Sequence, residues 1–280
     1  MRLRTLLGDY PVTRALRDGT LRSPRVEFDF ADVKVPNTAF KRVVRDLEFD
    51  VAELAIVTFL MAKAHGKPLA LLPAVLFGRF QHPYLVCTRN LSPKNLEGSR
   101  VAIRSSSVTT VAWIRGILAD DHGVDLDRVK WVTFEDAHVA EYRDPPGVER
   151  APEGKTPLGM LLAGEVDAAV LADPLPQDER LKSVIPEPAA AARDWHRRKG
   201  ALQINHMVVV RQSLPPEVVR EVFDLLFRSK QISEEKATPP IDTSPFGIEE
   251  NRRNLEVAID YVFRQKLIPR RYTVEELFER

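Results

Sequence analysis

The chain has 280 residues, 44% apolar and 29% charged, enough to build one large domain or two cored lobes and too apolar for a disordered or fibrous protein. Lysine and arginine number 41 against 40 aspartates and glutamates, so no global field draws the protein to nucleic acid or an anionic membrane, and charge selectivity must be local. The single cysteine, Cys87 in "YLVC", excludes a disulfide framework and a thiolate zinc site and reads as a buried thiol.

The N-terminal "MRLRTLLGDYPVTRALRDG" lacks the apolar stretch of a secretory leader, and no later run approaches the ~20 residues of a membrane span, so a cytoplasmic location is expected. Its first strand-like run, "RLRTLLG", leads into Gly8, Asp9 and Tyr10 ahead of a helical pattern. Asp9 there suits a helix cap or a ligand contact. Helices are expected over 36–47 and 56–65, around the apolar run "DVAELAIV". Glu53 sits at the predicted end of that strand, where an acid needs a partner because burying a lone charge is costly. A salt bridge, a helix start and a functional contact all satisfy that need. The strands "LALLPAVLF" and "PYLVCTR" come next, with His82 immediately before the second.

The segment "RVAIRSSSVTTVAWIRGILADDHGVDLDRVKWVTF" parses as strand, loop, helix and strand, with Gly123 ending the helix. Val111, Ile114 and Leu118 form the core-facing stripe of that helix, over 109–122. Ser105, Ser106, Ser107, Thr109 and Thr110 put five hydroxyls in six positions at its start. The start of a helix presents unpaired N–H groups and a positive dipole, so these residues suit a carboxylate or phosphate. One serine would suffice for capping alone, and the segment lacks the glycines and lysine of a phosphate loop.

Asp136 and His138 in "FEDAHVAEY" lack the companions of a metal site, so no metal is expected. "PPGVERAPEGKTP" at 145–157 reads as a surface loop or flap, a helix is expected over 156–163, and "PEPAAAARD" at 186–194 reads as a second connection. His206 precedes the strand-like "HMVVVR" and, like His82, stands where a strand could link two lobes and face a cleft; His65, His122 and His196 read as ordinary. From Pro215 the chain is mostly helical, through "PPEVVREVFDLLFRSKQISEEK" and "TVEELFER", where Thr273 and Glu276 have capping-box spacing.

The alternation of strands and helices signals α/β units. Phe49-Asp50-Val51-Ala52 echoes Val166-Asp167-Ala168-Ala169, 117 residues further on, each after an amphipathic helix and a short turn. The echo suggests two similar lobes presenting strand ends to a shared cleft. No serine-hydrolase elbow and no dinucleotide fingerprint is present.

Taken in order, "GDYPVTRALRDG", "FDVAELAIVTFL", "FQH", "TTVAWIRGIL", "GVDLDRVKW", "NHMVVVR" and "FGIEENRRNLE" resemble the 4,5-dihydroxyphthalate decarboxylase family over nearly the whole chain. The resemblance implies a two-lobed type 2 periplasmic-binding-protein-like fold, each lobe a mostly parallel sheet flanked by helices, with a helical C-terminal segment. Lobe one would comprise 1–84 and 207–280, and lobe two 85–206. The chain departs from the family in being shorter around 143–200 and in carrying Gln81 where an arginine usually precedes the histidine. By resemblance the substrate is a small hydroxylated aromatic carboxylate, decarboxylated without a cofactor. Glu53 would accept a hydrogen bond from a ring hydroxyl and His82 or His206 would donate the proton. The helix start at 105–110, with Asp9, Tyr10, Arg104 and Arg115 around it, would hold the substrate. The fold also hosts transporter receptors, so a non-catalytic carboxylate-binding protein is the alternative. No nucleic-acid or membrane partner is expected, and assembly into a homo-oligomer stays open.

Overall fold

The structure is a computed structural model that describes residues 1–235 and 241–279; Lys236 and Arg280, the last residues of two expected helical runs, lie outside the described residues. Strands β1 (Arg2–Leu6), β2 (Glu27–Phe30), β3 (Val51–Ala55) and β4 (Leu69–Gly78) join the late strand Ile204–Arg211 in one sheet. The second sheet contains β5 (Leu85–Cys87), β6 (Arg100–Ile103), β7 (Lys130–Thr133), β8 (Glu149–Arg150), β9 (Ala168–Val170) and β10 (Lys182–Ser183), so Ile204–Arg211 is β11. The strand orders are β2-β1-β3-β11-β4 and β10-β5-β9-β6-β7-β8. In each sheet a central strand, β1 or β6, has parallel neighbours on both sides, and an antiparallel strand follows, β11 beside β3 and β5 beside β9. This is the two-lobed α/β arrangement. Because β11 starts at Ile204, Asn205 and His206 belong to the first sheet rather than to the end of the second lobe.

Strand periodicity divides the first core between two faces. Leu3 and Val51 pack with α6 (Pro216–Glu234) and the short α1 (Arg14–Arg17), whereas Leu6, Ala52 and Leu54 pack with α2 (Ile56–Ala64) and α7 (Ile248–Arg264). In the second lobe, Val101 and Ile103 meet Val111, Ile114 and Leu118 of α3 (Thr109–His122), so the expected stripe does face a core. Ala102 turns the other way, toward α4 (Pro157–Leu162). Trp113 and Ile117, on another face of α3, form an apolar cluster with Trp195 and Tyr261. A Cβ on Gly116 would lie 1.9 Å from the Tyr261 ring, so only glycine lets α3 and α7 come this close. Gly123, at φ 65°, ends α3 in the left-handed conformation that glycine adopts without strain.

Two expected elements differ. Residues 36–47 form a 3-10 turn, Pro36–Ala39, and a π turn, Arg42–Asp46, in place of a regular helix. That path keeps Phe40, Val43 and Val44 all in the core, and Leu47, with φ 49°, stops it. The expected connection at 186–194 is instead the beginning of α5 (Pro188–Lys199): proline in its first turn, a run of alanines and Gly200 at its end are strong helix signals. The short α8 (Val274–Phe278) starts with the expected Thr273–Glu276 capping box. No helix among the described residues is long and apolar enough to cross a membrane.

Candidate active site

β3 is buried throughout and carries an acid at its centre: Glu53 stands opposite Val208 of β11, with no exposure to solvent. Three donors converge on its carboxylate. The Gly8 N–H donates to Oε2 at 2.8 Å, and the Tyr10 hydroxyl and His206 Nδ1 both reach Oε1 at 2.6 Å. Gly8 is required by the close approach, because a Cβ there would meet the Tyr10 ring at 2.6 Å. The Tyr10 ring stacks on Phe77 with centroids 6.1 Å apart, and Phe40 meets the His206 imidazole edge-on at 5.2 Å. Burial first, and the Glu53 charge second, push the Tyr10 phenol well above the ordinary range, so it serves as a protonated donor.

The facing wall comes from the second lobe. Val108, Thr109, Thr110 and Val111 at the start of α3 line the same cleft, with Arg104 and Asp173 beside them. No side chain caps α3, so its first amides, which have no intrahelical acceptor, face the cleft with the positive end of the dipole behind them. The Thr109 hydroxyl accepts a 3.3 Å hydrogen bond from the Val57 N–H at the start of α2, tying the two helix starts together. Arg79 also lines the cleft, over the Tyr84 ring at 4.1 Å and paired with Asp173 at 3.0 Å. His138 completes the lining; its Nδ1 lies 2.8 Å from the Thr58 hydroxyl. Burial, then the charges of Arg104, Lys41, Arg45 and His206, bring the His138 pKa down to about 3, so its ring is neutral. The cleft holds about 250 Å³, room for a single-ring compound.

Glu53, His206, Tyr10, Arg104, Thr109 and Thr110 therefore meet in one cleft. The other expected residues do not line it. His82 is buried in apolar surroundings, edge-on to Trp195 at 6.3 Å, with both ring nitrogens unpartnered; burial takes its pKa to about 4. Asp9 is exposed and pairs with Arg14 at 3.3 Å. Ser105, Ser106 and Ser107 turn inward, with the Ser105 and Ser107 hydroxyls 3.2 Å apart. Arg115, one and a half turns into α3, leaves the cleft wall and stacks over Trp131 at 4.1 Å. Three protein donors already engage the Glu53 carboxylate, two on Oε1 and one on Oε2, so a ring hydroxyl would find one acceptor site left, on Oε2.

Phe40, Phe77, Arg79, Asn205 and the cleft position of His138 were not anticipated. The alternation of Phe77 and Arg79 at the end of β4 is the signal available for two of them, since residues two apart share a strand face. Gln81 is fully buried and hydrogen-bonds the Asn205 side chain; Arg79, two residues earlier, brings a cation to the cleft. Among the described residues no cluster of three or more histidine, cysteine, aspartate or glutamate side chains is placed to hold a metal.

Two sheets with flanking helices and a ligand-sized gap between them define a protein of the periplasmic-binding-protein fold. The alkanesulfonate-binding protein SsuA from Xanthomonas axonopodis pv. citri, solved bound to MOPS, matches 99% of this chain and 97% of its own, with a TM-score of 0.60 and 15% identity. The periplasmic aliphatic sulphonate binding protein SsuA from Escherichia coli matches 98% of this chain and 97% of its own, with a TM-score of 0.57 and 12% identity. In sequence, the chain resembles the 4,5-dihydroxyphthalate decarboxylases. That of Comamonas testosteroni is 28% identical over 230 residues, 76% of this chain and 69% of the relative. That of Pseudomonas putida is 29% identical over 213 residues, 70% of this chain and 82% of the relative. No family model matches the chain.

Proposed function

We propose that the protein is a decarboxylase of hydroxylated aromatic carboxylic acids, working without an added cofactor. The observation that carries this reading is the buried Glu53–His206 pair at the edge of a cleft whose other wall is an uncapped helix start. A carboxylate that receives the Nδ1–H fixes the imidazole tautomer and stabilises the imidazolium, leaving Nε2 as the ring nitrogen that meets a ligand. A non-catalytic anion site has no need of such a pair.

In the proposed reaction the α3 amides, the Thr110 hydroxyl and Arg104 hold a carboxylate that the substrate retains, and Arg79 adds a second cation at the rim. His206, as imidazolium, gives its Nε2 proton to the ring carbon that bears the departing carboxylate, assisted by electron donation from a ring hydroxyl. The bond from that carbon to the carboxylate then breaks, its electron pair restores the aromatic ring, and CO2 leaves. His206 regains a proton from water. Glu53 acts as a positioning residue, and general-acid catalysis of this kind contributes roughly 10²–10⁴ in rate.

The test is incubation with 4,5-dihydroxyphthalate and related hydroxybenzoates, with CO2 and the ring product followed by mass spectrometry. Turnover that His206→Ala abolishes while ligand still binds supports the proposal. The fold neighbours favour one other reading, a carboxylate-binding protein without chemistry. Tight binding by wild type and His206→Ala alike, with no product from either, establishes that reading instead.

A further inference from the structure

The larger of two cavities against α3 lies outside the cleft, between α3, the 142–148 segment and the end of α7, and holds about 650 Å³. Arg115 lines it and lies six residues beyond Thr109, about 9 Å along the helix axis. The residue is only 7% exposed, its Nε has no hydrogen-bond partner, and no carboxylate stands within ion-pairing distance among the described residues. Burial lowers its pKa to about 10, with Tyr142 and Asp144 acting weakly the other way, so the guanidinium remains charged at neutral pH. A buried cation stacked on the Trp131 ring, which Asp144 influences without forming an ion pair, is an energetic liability unless an anion completes it.

A second unpaired group faces the same space. Gln265 donates its Nε2–H to the Ala112 carbonyl at 2.8 Å, which fixes the side chain on α3, yet its buried Oε1 accepts nothing. The cavity thus has an unmatched donor and an unmatched acceptor buried in residues of its wall, beside aromatic side chains from Trp131, Tyr142 and Tyr261. On the far rim Asp125 and Asp127 would repel a second negative charge; of the lining cations Arg264 pairs with Asp120 and Asp260, Lys266 faces Asp127, and Arg143 donates to the Ala140 and Tyr142 carbonyls.

We propose that this cavity is a second binding site, separate from the cleft, for an aromatic monocarboxylate bearing a ring hydroxyl. The carboxylate pairs with the Arg115 guanidinium, the hydroxyl donates to Gln265 Oε1, and the ring lies among the aromatic side chains. The chemical class is that of the product expected from the decarboxylation proposed above, although the site itself is argued from unpaired groups that do not depend on that reaction. A ligand here would brace α3, whose first residues form the cleft wall.

The experiment is titration of the full-length protein with 4-hydroxybenzoate, followed by calorimetry and by the indole N–H resonances, with that of Trp131 assigned through Trp131→Phe. The expected result is a saturable shift of the Trp131 resonance, weakened at least about tenfold in Arg115→Met because a charge-assisted hydrogen bond is lost. Benzoate, lacking the hydroxyl, and phthalate, carrying a second charge, should each bind this site more weakly. The wild-type resonance can be followed even where Arg115→Met fails to fold. A Trp131 signal unmoved at tens of millimolar ligand, or equally moved by all three acids, overturns the proposal. His206→Ala separates the two questions: it should abolish turnover and leave the Trp131 shift intact, whereas absence of turnover in wild type bears only on the decarboxylase reading.

Discussion

The two lobes use one backbone device for different ends. In the first, Asp50 accepts the Arg4 N–H at 2.8 Å and returns its own N–H to the Arg4 carbonyl at 2.8 Å, clamping the start of β3 to β1. In the second, Asp167 does the same to Arg100, at 2.7 and 2.8 Å, clamping β9 to β6. Three residues beyond each clamp the strand reaches the cleft, where the first lobe has Glu53 and the second has Val170. Shared scaffolding therefore brings equivalent positions to the gap, and the side chain alone decides that one presents an acid and the other an apolar group. The antiparallel neighbours complete the contrast, since β11 brings His206 beside Glu53 while β5 brings Leu85 opposite Val170.

Making the lobes alike should abolish activity. Glu53→Val strands three donors and frees the imidazole orientation, so turnover should fall by about 10²–10⁴ and urea denaturation should show a loss of about 3 kcal/mol. The reverse change, Val170→Glu, puts an acid opposite a strand that offers no such donors. It should cost about 2 kcal/mol by the same assay and confer no activity on a Glu53→Val background. Preserved stability in either variant would mean that the two positions are interchangeable.

Finer contrasts lie within the site. Tyr10→Phe removes one donor from Glu53 and leaves Gly8 and His206, so a loss of about 1.5 kcal/mol in stability and roughly tenfold in kcat is expected. His138 and His82 test the buried, neutral state against the paired state of His206. Both have folded pKa values, about 3 and about 4, below the ordinary 6.5, so the unfolded chain takes up these protons first. Stability present above the unfolded pKa is therefore lost as pH falls through the window from 6.5 toward those values. Urea midpoints between roughly pH 7 and pH 5 should drop, and His138→Asn should reduce the slope by about one proton, or 1.4 kcal/mol per pH unit at most. The smallest effect belongs to the clamps: Asp50→Ala and Asp167→Ala should each cost about 1 kcal/mol, and unequal losses would show that one lobe depends on its clamp more than the other.

The halves of the fold were legible because periodicity reports burial. The α3 stripe and the aspartate echo carried the two lobes, and the capping-box residues fixed the start of α8. The 36–47 segment was misread because a helical spacing of Phe40, Val43 and Val44 does not distinguish an α from a π turn. Glu53 and His206 were found since an acid inside an apolar strand and a histidine opening one both need explanation. His82 met the same criterion, yet its position before β5 places it against Trp195 rather than at the cleft. Hydroxyl count likewise overreached: a run of adjacent residues points in several directions, so Thr109 and Thr110 line the gap and the three serines do not. Arg115 was drawn into the same group by sequence distance, whereas the helical turn carries it around to another face.

Gly116 gives the molecule a narrow tolerance of its own. It is the next residue after Arg115, it sits against Tyr261, and the helix it belongs to serves the cleft at one end and the larger cavity farther along. A single methyl group added there must shove two helices apart, and a rigid rod displaced at its middle moves everywhere. One atom of steric bulk in the wall of the larger cavity would thus detune the cleft as well, with no residue of the cleft having been altered.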